Sequence, residues 1–171
     1  MPTLAERSKA HPDNFGARRG TKVDLVIVHV TEGSAKSALA WFADARAKSS
    51  AHYLVTKAGV VWEIVHEDDC AWHAGNVEYN RRSVGIECEG LCDRPDTFTP
   101  AMIEALVRLV GAVCDRHGIP RDREHVIGHN EVPNPKDPSK KGGANGHTDP
   151  GPHFPWALFM EWLTDPVRGV A

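Results

Sequence analysis

Three short stretches hold side chains that could do chemistry together: "VIVHVT" at residues 26–31, "VIGHNE" at 126–131 and "GHTDPGP" at 146–152. His29 and His129 each stand at the end of a short apolar run, His129 just after a glycine that lets the chain turn. Asp149 precedes Pro-Gly, which would hold its carboxylate in a fixed direction. Two imidazoles and one carboxylate are the donor set of a catalytic zinc site, with water in the fourth position. Neutral imidazoles add no charge, so the ion keeps about +1 and can acidify a bound water toward neutral pH. Spacing alone decides little, because catalytic sites draw their ligands from separate elements. A plainer reading stands beside this one: His29 as a buried histidine bonded to backbone, and the heptad as a rigid turn. The chain has ten histidines, and His11, His66, His117, His125 and His153 have no context beyond surface or packing. His52 reads as a structural residue bonded within a sheet.

The elements that must position these groups are legible in part. Residues 22–30, "KVDLVIVHV", form a nearly continuous β-branched run, the pattern of a strand buried on both faces. There Val23, Leu25, Ile27 and His29 share one face. Ser34 is an N-cap for a helix whose stripe is Ala35, Ala38, Leu39 and Phe42. Residues 51–56 and 60–65 read as a hairpin around "KAG", and 83–89, "SVGIECE", as another strand. Thr99-Pro100 starts a helix striped by Ile103, Leu106, Val107, Val110, Cys114 and His117, stopped by Gly118 and Pro120. Residues 125–129 read as a short strand or extended link, 130–151 as a long loop, and "FPWALFMEWL" as a closing helix. Alternating strands and helices with one hairpin predict an α/β fold, a central mixed β-sheet flanked by helices on both faces.

The 171 residues suit one domain, core about 22–163, with 41% hydrophobic and 25% charged residues. A net charge of −3 gives no reason to expect nucleic acid or an anionic membrane as partner, and no apolar run approaches the length of a membrane span. A monomer is expected. "MPTLAERSKAHPDN" has no apolar signal core. Cys70, Cys88, Cys92 and Cys114 are too few and too scattered for a disulfide scaffold and read as free packing residues, with one bridge left open.

Taken in order, "VIVHVTEGS", "SAHYLVTKAGVVWEIV", "AWHAGN", "RRSVGIECEG", "VIGHNEVPNPKDP" and "GHTDPGPHFPW" resemble the zinc-dependent N-acetylmuramoyl-L-alanine amidases, a family that includes phage endolysins and is related to the peptidoglycan recognition proteins. The likeness runs from about residue 22 to 163. It implies cleavage of the amide joining N-acetylmuramic acid to L-alanine in peptidoglycan, with Zn2+ held by His29, His129 and Asp149. It implies Glu87 as general base, with Glu89 on the same face as its competitor. It also implies Trp72, His73 and Asn76 as lining of the groove for glycan and stem peptide.

Two departures stand out. Many members carry lysine two residues before the third ligand, where this chain has His147; an imidazole N–H there could polarise the same carbonyl or protonate the leaving nitrogen. Asp137, eight residues after His129, is an alternative third ligand, although it lacks the Pro-Gly continuation of Asp149. The loop "SKKGGANG" then reads as an insertion rimming the site. Three functions compete: a wall-degrading endolysin or autolysin, a cytosolic amidase recycling soluble muropeptides, and a peptidoglycan-binding module that does not cut. A complete ligand set with Glu87 favours catalysis, and the export route stays open between host lysis and secretion.

Overall fold

Strand β1 (Glu6–Arg7) and β2 (Phe15–Ala17) precede the long β3 (Leu25–Val30), after which come α1 (Ala35–Phe42), β4 (Tyr53–Val55), β5 (Val61–Glu63) and β6 (Asp69–Ala71). Helix α2 (Val77–Arg82) runs into β7 (Ser83–Cys88), followed by α3 (Pro100–His117), β8 (Val126–Gly128) and α4 (Trp156–Thr164). This computed structural model describes residues 6–165. The ends of the chain included in the one-domain reading, and the first five residues of the stretch read for a signal core, lie outside the described residues.

Six strands form one sheet in the order β1-β5-β4-β7-β3-β8, and β2 pairs with β6 in a second, two-stranded sheet. Only the β4–β5 hairpin is antiparallel within the large sheet. The expected mixed sheet is therefore present. Every residue of β3 is buried, as its unbroken apolar run requires for a strand paired on both edges.

Alternation sorts the side chains between two faces. Val26, Val28 and Val30 of β3 and Val84, Ile86 and Cys88 of β7 join Met102, Leu106, Val110 and Val113 of α3 and Phe159 and Leu163 of α4 in the main core. On the opposite side α1 buries Ala35, Ala38 and Phe42 against Ala51, Leu54 and Ala71, while Ile27 meets Ala74, Ile127 and Val132. Val23 belongs to the α3 side, so the face expected for it with Ile27 and His29 does not continue before the strand begins. Caps close the helices as their residues dictate: Ser34 accepts from Ser37 N, Thr99 accepts from Met102 N, and Gly118 adopts left-handed backbone at φ 66°. The four cysteines are free thiols.

The sequence pattern passes over β1, β2 and β6, which have two or three residues each, and over α2. Helix α2, "VEYNRR", buries only Asn80 and so has no apolar stripe; its one signal is Asn76, whose side chain accepts from Glu78 N and Tyr79 N. The 130–151 loop is not structureless. Gly143 N donates to Val132 O, Ala144 N to Gly75 O and His147 N to Gly142 O, around a short 3-10 turn at Gly143–Asn145.

A buried polar cluster ties α3 to the strands away from the cleft. Glu67 accepts from Tyr53 Oη, from Arg116 and from the ring of His117. Burial works to raise its pKa, but the hydrogen bonds from Arg116, Tyr53 and His117 outweigh it and hold the carboxyl at about 2, against an ordinary 4.5. A depressed carboxylate stabilises the fold above its unfolded pKa, and that contribution is lost as pH falls from about 4.5 toward 2. Glu67→Gln is expected to flatten the acid limb of stability across that window in denaturant titrations at stepped pH; an unchanged slope would remove Glu67 from the acid response.

Candidate metal centre

Adjacent parallel strands set the floor of the site. His29, near the C-terminal end of β3, lies in register with Glu87 on β7, and β8 on the other edge of β3 delivers His129 one residue past its end. This is the strand-end crevice where open α/β sheets bind ligands. Gly128 is extended at φ −88°, so the chain needs no special backbone freedom there. It needs space: a Cβ would come within 2.5 Å of Asn130 Oδ1 and 2.6 Å of Pro150 Cδ. The expectation that this glycine lets the chain turn is corrected to close approach. Glu131 Oε2 accepts from Gly128 N at 2.8 Å and holds the turn. Asn130 N donates to Asp149 O at 2.8 Å, joining the two loops that carry His129 and Asp149.

The three side chains converge. His29 Nδ1 lies 3.1 Å from His129 Nδ1 and 3.3 Å from Asp149 Oδ2, while His129 Nδ1 lies 3.2 Å from Asp149 Oδ1. An ion bonded to nitrogen and oxygen at ~2.0–2.1 Å in a tetrahedron separates its ligands by roughly 3.3 Å. All three residues are buried, and among the described residues they form the one such group of histidine, cysteine and carboxylate side chains. Val30 N donates to Asp149 Oδ2 and fixes the carboxylate. Asp137 stands elsewhere, bonded to Ser139 and paired with Lys140, so the alternative third ligand is not in the cluster.

Electrostatics separate the groups. Burial and the neighbouring His129 push His29 down to about 4, so its imidazole is neutral at ordinary pH. Burial would raise Asp149, but His129 and His29 more than offset it and hold the carboxyl far below its usual range. Glu87 goes the other way, up to about 8, through burial first and then the charges of Asp149 and Glu32. Its Oε2 and His129 Nε2 are buried without a partner. Glu89 is excluded from comparable work, since its two oxygens accept from Ala35 N at the start of α1 and from Lys57 N.

His147 stacks on His129, ring centroids 4.3 Å apart, with Nδ1 3.7 Å from Asp149 Oδ1. Burial and His129 lower its pKa against the opposing pull of Asp149. Trp72, His73 and Asn76 all line the same cleft of about 1070 Å³, with His29, Glu87 and His147. Two of them have a different first task from the groove lining expected of them. Asn76 caps α2 with its oxygen and donates to Pro133 O with its nitrogen, so its amide is committed within the protein. His73 bonds His29 through its ring. His52, as expected, serves the sheet, accepting from Gly85 N.

The sequence pattern left out Trp41 and Glu32, both on the cleft wall. Trp41 is 50% exposed, and its signal was available: it is the large apolar residue of α1 outside the Ala35–Ala38–Phe42 stripe. Glu32 had none, since only the fold brings it near Glu87.

A family described as N-acetylmuramoyl-L-alanine amidase matches residues 19–152. N-acetylmuramoyl-L-alanine amidase A of Achromobacter lyticus is 32% identical over 83% of this chain and 84% of its own length. The 1,6-anhydro-N-acetylmuramyl-L-alanine amidase AmpD of Escherichia coli (strain K12) is 32% identical over 86% of this chain and 74% of its own. Among solved structures, a selenomethionine derivative of AmpD superposes with a TM-score of 0.72 at 27% identity, covering 94% of this chain and 96% of that one. PlyL, at 17% identity, shares the fold with a TM-score of 0.67 over 94% of this chain and 97% of its own. The matched range spans all three converging residues and Glu87, and both the sequence pattern and the fold around them are those of amide hydrolases: the chain belongs to the N-acetylmuramoyl-L-alanine amidase family.

Proposed function

We propose that this chain hydrolyses the amide between N-acetylmuramic acid and L-alanine of peptidoglycan as a zinc enzyme, with His29, His129 and Asp149 as ligands. The observation that carries the reading is the convergence, buried beside Glu87, of His29 Nδ1 and His129 Nδ1 3.1 Å apart with the two oxygens of Asp149, Oδ2 3.3 Å from the first and Oδ1 3.2 Å from the second. The donor set suits the ion: two imidazole nitrogens and a carboxylate whose two oxygens lie 3.3 and 3.2 Å from them, facing a cleft that leaves room for water and substrate. When bound, zinc polarises a carbonyl and acidifies a water.

The chain's own residues supply the rest. Glu87, in register with His29, would in its ionised form, which a neighbouring cation favours, take a proton from the attacking water and hand it to the leaving nitrogen. His147, stacked at the mouth beside Asp149, has an imidazole N–H to offer the developing oxyanion where relatives carry lysine. Trp72 and Trp41 give the cleft aromatic faces suited to a sugar ring or lactyl group. The described residues form one catalytic unit. Among them no helix is long and apolar enough to cross a membrane.

Two substrates fit this chemistry: the polymeric wall, and soluble muropeptides, toward which the 1,6-anhydro-N-acetylmuramyl-L-alanine in the name of the related AmpD points. Release of L-alanine-terminated peptides from purified sacculi, measured beside release from soluble muropeptides, separates them.

Exhaustive chelation is expected to abolish hydrolysis and added zinc to restore it, with His129→Ala and Asp149→Ala losing bound metal by elemental analysis. Full turnover in the chelated protein would end the metal reading. Glu87→Gln is expected to keep zinc and fold while turnover falls by about 10²–10⁴-fold; a loss under tenfold would assign the proton transfer to another group.

A further inference from the structure

We infer that His73 is a positioning residue that fixes the tautomer of His29, so that His29 presents its Nδ1 lone pair to the ion and keeps a proton on Nε2. The inference rests on the metal reading above and extends it behind the ligands.

A single serine proton sets the direction of every bond in the chain. Ser83, the first residue of β7, has its Oγ 2.6 Å from Tyr79 O. A carbonyl oxygen only accepts, so the hydroxyl proton points there. A serine has one proton, so its oxygen can only accept from its next partner, His73 Nε2 at 3.2 Å. His73 therefore carries its proton on Nε2, and its Nδ1 bears a lone pair. That Nδ1 is 2.9 Å from His29 Nε2, which must then be the donor. A neutral His29 protonated on Nε2 has an unprotonated Nδ1, and Nδ1 is the atom 3.1 Å from His129 Nδ1 and 3.3 Å from Asp149 Oδ2. Metal-bound histidines are oriented in this way by an acceptor on the far nitrogen. Here that acceptor is a second imidazole.

The surroundings hold His73 in place. Its backbone N and that of Ala74 both donate to Asn80 Oδ1, at 3.0 and 2.7 Å. Its ring fills the space over Gly85, where a Cβ would come within 2.5 Å of ring carbons. With Nδ1 engaged by His29 and Nε2 by Ser83, His73 has no ring nitrogen left for a substrate. The two metal histidines thus differ: His129 Nε2 has no such partner among the described residues.

The test reads histidine tautomers by long-range 1H–15N NMR on the whole 15N-labelled chain, metal-free and with zinc, and zinc affinity by chelator competition. His29 is expected as the Nε2–H form in both states. His73→Asn, whose Oδ1 falls near the position of Nδ1, is expected to keep zinc affinity within about threefold. His73→Phe is expected to weaken it by about 10–100-fold and to release the His29 Nε2 proton to fast exchange. Ser83→Ala, which spares the fold if His73→Phe does not, is expected to give a smaller loss that adds nothing in the His73→Phe background. An Nδ1–H form of His29, or wild-type affinity in His73→Phe, overturns the inference. A wild-type chain that binds no zinc sinks the metal reading instead, and the metal-free tautomer of His29 still decides the relay.

Discussion

Two imidazole nitrogens and the carboxylate of Asp149, crowded to 3.1–3.3 Å in a buried pocket, constitute the constraint around which the rest is arranged. Wherever two lone pairs face each other at that separation they repel, and the low dielectric of the interior makes the repulsion stronger than it would be in water. The backbone keeps them together. Strands β7 and β8 pair with β3 on either side, which puts His29 at the centre and His129 at the next strand's end. The Asn130–Asp149 backbone bond then draws the third group in. The core of valine, isoleucine and leucine between the sheet and the α3–α4 layer supplies the stability against which this crowding is held. A cation bound at the centre would draw all of these groups toward itself.

The same pocket treats two carboxyls oppositely. Asp149 is surrounded by imidazoles and amides and stays ionised, while Glu87 is buried beside Asp149 and Glu32 with one oxygen unpartnered and is pushed up to about 8. Divergent environments for neighbouring titratable groups are how a site divides ligand work from proton-transfer work. Glu89 provides the internal contrast: two residues along, with its carboxylate bonded to two backbone amides, it caps α1 instead.

Much of this is written in local pattern, and what is not written there depends on direction. Strands β3 and β7 announce themselves by apolar runs, and α1 and α3 by stripes and caps. The convergence of His29, His129 and Asp149 follows from strand-end position plus the family likeness. Asp137 could be set aside only once its bonds to Ser139 and Lys140 were seen. His73 and Asn76 sit in a motif that marks the cleft, but a motif does not say which way a ring or an amide turns. Strands of two or three residues and the polar helix α2 make no periodic signal at all, although α2 supplies Tyr79 O and Asn80, on which the placement of His73 depends.

Rigidity at the floor is matched by strain at the rim. Among the described residues, the non-glycine positions in left-handed backbone are Arg19, Glu32 and Lys48, at φ 55°, 50° and 49°, and all three line the cleft. Each such residue costs about 1–2 kcal/mol over the right-handed alternative. Chance would scatter them over the surface turns. Strained backbone of this kind clusters at functional sites, and here it gathers in the turns around the cleft. The floor is built on paired strands, where β3 is held on both edges, while the rim carries strained backbone at two basic residues and one acidic residue whose carboxylate holds Cys92 N.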